Sequence, residues 1–323
     1  MSESKPLQTR REILFLYDIK MGNPNGDPDE NRPRRLPDGT FYVTDVRLKR
    51  FVRDFLASKG NDILVGKLDG RTANLTGRVA EHLKQTGQIE ANGRELVKIL
   101  LKDFIDARLF GSSLAFKESS EFKLQPEPRT LTGAVQFNMG EVLHKAEEIT
   151  IAGTTIFASD EGKKQGTFTS HSVLRYALIG FNGVVNEHNA EHSLMTEDDY
   201  NLLLSSIWCG VRSVGNTRSK VGQVPRLLVS VEYQPKEEFQ FGNLVDYVKL
   251  TSTNNKDEME WSSPDDYLLD LTKLRERLDA QAIRIKRVGY EISPDINLVG
   301  DKKELTKGWA CLGIDTILDQ KHN

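Results

Sequence analysis

An α+β protein is predicted for this chain, on three observations. Glu12 to Ile19 (EILFLYDI) is an almost unbroken run of branched and aromatic residues, the pattern of a buried central strand. Leu48, Phe51, Val52, Phe55 and Leu56 fall at i, i+3, i+4, i+7 and i+8, which is one apolar face of a helix. Further strands and helices then interleave without a regular βαβ period, which argues against a doubly wound sheet.

The first strand ends at Gly22 and leads into MGNPNGDP (Met21 to Pro28), a turn of Asn, Gly, Pro and Asp. Such a turn can lay backbone N–H groups and small polar side chains against an anionic ligand. The run ENRPRR follows at once and brings Arg32, Arg34 and Arg35 to the same rim. Asp27, Asp29 and Glu30 lack the spacing of a calcium loop, so a turn role is expected for Asp27. Thr44 can cap the next helix, with Asp45 favourable in its first turn. Arg47, Lys49, Arg50 and Arg53 lie off the apolar face, so this helix can pack on a sheet and still show cations.

From Ser58 to about Pro128 the character changes. Six glycines punctuate short polar segments up to Gly93, and one helix carries Val97, Leu100, Leu101 and Phe104 on a face. The stretch looks like an insertion rising from the core. Thr132 to Gly140 (TGAVQFNMG) and Glu148 to Phe157 are expected strands, and Ser159 to Gly166 an exposed loop. Val173 to Val185 is a buried strand with a glycine break. NEHNAEH, carrying His188 and His192, is expected as an exposed loop, since no third metal ligand accompanies the pair. Thr196 and Asp199 cap a helix striped by Tyr200, Leu203, Leu204, Ile207 and Trp208. A strand follows over Leu227 to Tyr233. Ser263 and Pro264 then open a helix lined by Leu268, Leu271, Leu274 and Leu278.

Between that capped helix and strand lies WCGVRSVGNTRSKVGQVPR, with Arg212, Arg218, Lys220 and Arg226. No acidic residue occurs from Tyr200 to Ser230. A loop of about twenty residues without structure of its own is uncommon unless functional. With the first loop it suggests a basic track for a sugar-phosphate backbone, single-stranded RNA being the natural class.

Composition bounds these readings. The chain has 323 residues, 38% apolar and 28% charged, so one core with large insertions is expected. Lys and Arg number 44 against 47 Asp and Glu, which excludes indiscriminate polyanion binding but permits a local basic groove. Only Cys209 and Cys311 are present, so neither a disulfide framework nor a cysteine zinc site is expected, and a cytoplasmic setting fits. No apolar run is long enough to span a membrane. The absence of GxxxxGK[ST], of a strand followed by GxGxxG, and of CxxC gives little support to nucleotide-dependent chemistry, and no cofactor or metal is expected. His171 in TSHSVLRY could act as a base, but no orienting carboxylate is near it in sequence.

NPNGDPD after the first strand, RPR, VTDVRLKRFVR, TGAVQFNMG and RSKVGQVPRLLVSVEY, in this order, resemble the backbone subunit of type I CRISPR surveillance complexes (Cascade). The closest branch is the Csh-type of type I-B; the Csd-type of type I-C shares the first blocks. The resemblance implies a ferredoxin-like, RRM-type palm of the RAMP superfamily over residues 1–57 and 129–323, with a thumb hairpin at about 205–226. Residues 58–128 would be inserted helical fingers. It implies that copies polymerise along the CRISPR RNA beside other Cascade subunits and present the guide to target DNA, without catalysis of their own. Carried onto this chain, the palm contacts would be Asn23, Asn25, Arg34, Arg35, Lys49, Arg50 and Arg53, with Gln136 and Asn138 from the central strand block. His171 would lie near the ligand. Arg212, Asn216, Arg218, Ser219 and Lys220 would be the thumb contacts. Two other readings stand beside this one: a metal-independent ribonuclease of the same superfamily with His171 as base, and a protein scaffold whose basic segments meet acidic partners.

Overall fold

A computed structural model describes residues 5–66, 74–117, 124–154, 168–213 and 220–314. The first half runs β1 (Arg11–Gly22), β2 (Tyr42–Val43), α1 (Asp45–Ser58), α2 (Leu75–Gln85), α3 (Gly93–Asp103), α4 (Ile105–Phe110), β3 (Gly111–Ser113) and β4 (Thr130–Thr132). Next come β5 (Val135–Phe137), β6 (Gly140–Val142), β7 (Glu148–Thr154), β8 (Phe168–Val185), α5 (Glu187–Ser193), α6 (Glu197–Ser213) and β9 (Gln223–Tyr233). The remainder is β10 (Lys249–Ser252), β11 (Tyr267–Asp270), α7 (Thr272–Ala280), β12 (Ile285–Ile292), α8 (Lys302–Leu305) and β13 (Ala310–Cys311). Among these residues no helix is long and apolar enough to cross a membrane.

The main sheet has the order β13-β12-β9-β1-β8-β6-β2, with β5 and β7 also paired to β8. All of its pairs are antiparallel except β12 with β13. β1 lies at its centre and is buried on both faces, which is why its sequence is a run and not an alternation. Ile13, Phe15, Tyr17 and Ile19 pack with Leu48, Phe51 and Val52 of α1 and with Leu203, Ile207 and Trp208 of α6. Leu14 and Leu16 belong to the core of the other face, with Tyr176, Leu244, Trp261, Tyr267 and Leu274. Residues from α2, α3 and α4 form a third core around Leu83, Leu100 and Phe104, so the helical insertion has a centre of its own.

Two glycines decide how closely these layers approach. A Cβ on Gly210 of α6 would lie 2.7 Å from the Phe51 carbonyl, so only glycine lets α6 meet α1 there. A Cβ on Gly183 would lie 2.4 Å from the Phe137 ring. The glycine break expected in this strand does not occur: β8 continues through Gly180 and Gly183, and Gly183 makes room for a cross-strand aromatic. Two further expectations change. His188 and His192 lie on the short helix α5, capped by Asn186, instead of in a loop. The helix expected from Ser263 begins only at Thr272: Pro264–Asp266 is a 3₁₀ turn, and Tyr267–Asp270 pairs with β10. Tyr267 and Leu269 point inward with period two, so the leucine spacing suited a strand as well as a helix.

Candidate nucleic-acid interface

The loop after β1 is built from its own polar side chains. Asn23 donates through Nδ2 to the Asn31 carbonyl at 2.7 Å. The Asp27 carboxylate accepts from the backbone N–H of Asp29, Glu30 and Arg32 at 2.7–3.0 Å. Those N–H bonds, the one from Glu30 foremost, hold its acidity below the usual carboxylate range. Asp27 is therefore a turn former. Asn25 ties the loop to α1: its Oδ1 accepts from the Thr44 backbone N–H at 2.9 Å and from the Thr44 hydroxyl at 2.8 Å. The Thr44 hydroxyl oxygen in turn caps α1 by accepting from the Arg47 N–H at 3.3 Å. The cations of the loop are thus mounted on a pinned frame.

On the outer side Arg32 donates to Glu148 of β7 through two nitrogens, at 2.8 and 2.9 Å, and Arg35 reaches the same carboxylate at 3.3 Å. The bond from Arg32 is the main reason the Glu148 carboxyl titrates below its usual range. Arg35 also stacks over Phe41, 4.3 Å from its centroid. Arg34 is half-buried, with an Nε that finds no partner among the described residues. On the inner side Lys220 donates through Nζ to the Asn23 carbonyl. Burial, with Arg47 adding repulsion, pushes the Lys220 amine down to about 8. Asn23, Asn25, Arg34, Arg35 and Lys220 are thereby gathered at one end of β1.

The α1 cations divide. Lys49 donates to Asp45 at 2.9 Å and Arg50 to Asp54 at 2.7 Å, both one turn apart on the helix. Arg53 instead turns toward the helical insertion, where its Nε donates to the fully buried Asp106 at 2.8 Å. Arg226, part of the cationic segment in sequence, is also buried, with its Nε on Asp18 at 2.7 Å. Gln136 and Asn138 are exposed and lie toward the other end of β8: Gln136 pairs opposite Val184, and Asn138 exchanges hydrogen bonds with Asn182. His171 is exposed opposite Ile151, where β7 and β8 run on past the last β1 pair at Leu174. Among the described residues it makes no hydrogen bond to a carboxylate. Arg212 stands in the last turn of α6, 5.6 Å from the Trp208 ring centroid. Asn216, Arg218 and Ser219 lie outside the described residues.

Three residues that sequence reasoning did not place in the site stand inside it. Tyr17, Arg47 and Gln223 each carry a buried polar atom with no partner among the described residues: the Tyr17 hydroxyl, Arg47 Nε and Gln223 Oε1. Asn23 Oδ1 is in the same position. The one readable signal was Arg47, four residues before Phe51, whose ring its guanidinium covers at 4.4 Å. The arrangement is a fixed cationic rim over a polar floor, suited to holding an anionic chain.

The family described as CRISPR-associated protein Cas7 matches residues 9–272. The curated CRISPR-associated protein Cas7 of Haloferax volcanii is 34% identical over 293 residues, which cover 85% of this chain and 84% of the relative. Among solved structures, a chain of a CRISPR RNA-guided surveillance complex superposes with a TM-score of 0.53 at 14% identity. That superposition spans 97% of this chain and 100% of the other, and is a likeness of fold.

Proposed function

The chain belongs to the Cas7 family of CRISPR-associated proteins, and from that premise we propose that it is a non-catalytic CRISPR RNA-binding backbone subunit of a type I Cascade complex. The observation that carries the reading is the cationic rim itself. Arg34, Arg35 and Lys220 are held at the end of the central strand by a loop that Asn23 Nδ2, Asn25 Oδ1 and the Asp27 carboxylate brace from within. Copies line up along the guide, bind its sugar-phosphate backbone without reading bases, and leave the bases free to pair with target DNA. Other Cascade subunits close the assembly, which works in the cytoplasm. The palm is ferredoxin-like, built from residues 1–57 and 129–323; residues 58–128 are the fingers, and the thumb lies at about 205–226. The RSKVGQVPR block supports the Csh-type branch. Lys49, Arg50, Gln136, Asn138, His171 and Arg212 are contacts that a longer track, or a neighbouring copy, would use. Arg53 supports the frame through Asp106.

Expression together with a CRISPR array tests the reading. An RNA of uniform length should co-purify with the protein. Recovery of the protein free of RNA, or cleavage of repeat RNA by the pure subunit, would overturn it.

Lys220 gives the reading a pH signature. A phosphate beside its amine favours the charged form, so binding takes up a proton once the free amine has begun to titrate near 8. RNA affinity should fall as pH rises from 7.5 to 9, by at most about tenfold per unit. The fold itself responds in the opposite direction. Its Lys220 value lies below the ordinary 10.5, so between about 8 and 10.5 the unfolded chain holds more protons and folding gains stability with pH. In Lys220→Arg the pH slope of binding between 7.5 and 9 should flatten, as fluorescence anisotropy with a labelled RNA would measure.

A further inference from the structure

The floor beneath the rim has polar atoms that a phosphate alone cannot satisfy. Tyr17, Asn23 and Gln223 are at least nine-tenths buried, and buried polar groups nearly always find partners. Among the described residues, the Tyr17 hydroxyl, Arg47 Nε, Asn23 Oδ1 and Gln223 Oε1 have none. They belong together. Gln223 pairs opposite Ile19, two residues beyond Tyr17 on the same face of β1. Arg47 lies within electrostatic reach of both the Tyr17 hydroxyl and Lys220. Lys220 holds the Asn23 carbonyl, while its own carbonyl accepts from Gln223 Nε2 at 3.1 Å. The carboxylate that acts on Arg47 is Asp54, already held by Arg50.

The set is two-sided. Arg47 Nε can only donate, and the amide oxygens of Asn23 and Gln223 can only accept. A phosphate oxygen serves the first and repels the other two. A hydroxyl both donates and accepts, and the hydroxyl that accompanies a backbone phosphate is the ribose 2′-OH. Resting on the RNA-binding reading above, we propose that Gln223 is a specificity-determining residue that selects RNA over DNA, its Oε1 accepting the one hydrogen bond that a ribose 2′-hydroxyl can donate, with Asn23 Oδ1 beside it on the same floor. The neighbouring phosphate lies on Arg47 and Lys220. Both are long side chains exposed only in part, and in this arrangement they move onto the phosphate and open the way to the amide oxygens.

The test uses the full chain and three single strands of one sequence: RNA, 2′-fluoro RNA and DNA. Fluorine keeps the ribose-like sugar pucker but cannot donate, so it separates the hydroxyl from sugar shape. Wild type should bind RNA about tenfold more tightly than 2′-fluoro RNA, the scale of one hydrogen bond to a buried acceptor. In Gln223→Met the difference should shrink, through loss of RNA affinity with 2′-fluoro affinity unchanged. Equal wild-type affinity for RNA and 2′-fluoro RNA at matched salt would overturn the inference and leave the floor to ordered water. So would equal weakening of both ligands by Gln223→Met. Tight binding of all three strands would sink the selectivity while sparing the RNA-binding reading. Binding of none would sink both.

Discussion

Asp106→Ala should destabilise the fold by about 3–5 kcal/mol, the scale of breaking a buried ion pair from one side. The side chain is fully buried and satisfies three donors: Arg53 Nε at 2.8 Å and the backbone N–H groups of Leu64 and Val65 at 2.7 and 3.1 Å. It thereby fastens the helical insertion, through α4, to α1 and to the chain that leaves α1. Alanine would strand the Arg53 guanidinium, leaving it the Phe110 ring 5.2 Å away and no carboxylate among the described residues. Two backbone donors would be left open as well. Arg94 and Glu127 make the contrasting pair, at 3.5 Å with side chains 81% and 67% exposed. Removing either should change stability within the small range of surface pairs. Urea denaturation of both variants measures the difference, and a midpoint for Asp106→Ala matching wild type would show that the clasp carries no load.

The same pair shows why part of the site was illegible in sequence. Arg53 and Arg226 read as ligand-facing cations because their acids are distant along the chain. Asp106 lies 53 residues from Arg53, and Asp18 lies 208 from Arg226. Sequence displays a charge but not its long-range partner. β1 and α1 were legible because burial on two faces, or on one helical stripe, writes itself into residue order. The Asn25–Thr44 tie was half visible: the cap could be read from Thr44, but not the loop residue that grips it. Tyr17 and Gln223 gave no signal, since one aromatic in a hydrophobic strand and one amide at a strand start are ordinary features. Only their convergence with Arg47 and Lys220 makes them a floor. The leucines from Leu268 to Leu278 failed for another reason, since their spacing fits a helix throughout while Tyr267 and Leu269 obey the period of a strand.

Reversing Arg34, Arg35 and Arg50 together to glutamate should weaken guide RNA binding about hundredfold or more near 0.1 M salt, with little dependence on base sequence. Each lost charge-assisted bond is worth about 1.5 kcal/mol before screening, and three such losses exceed the 2.8 kcal/mol or so that a hundredfold represents. The arginines are free to bind because their present ties are weak. Arg35 is 47% exposed on Glu148 and Arg50 is 42% exposed on Asp54, and solvated pairs like these give way readily to a phosphate. Among the described residues, Arg34 Nε has no hydrogen-bond partner. The fold should tolerate the change, since no core side chain is altered and the Asn25–Thr44 tie is untouched. The salt dependence identifies the cause. A single strand releases about 0.7 counterion per neutralised phosphate, so three lost contacts should lower the slope of log affinity against log salt by about two units. Reversal of Arg284, an exposed cation held by Glu237 outside the rim, should leave that slope alone. A triple variant that loses affinity but keeps the wild-type slope would mean that the rim and Arg50 of α1 shape the protein and do not touch the phosphates. The guide would then run elsewhere on the molecule.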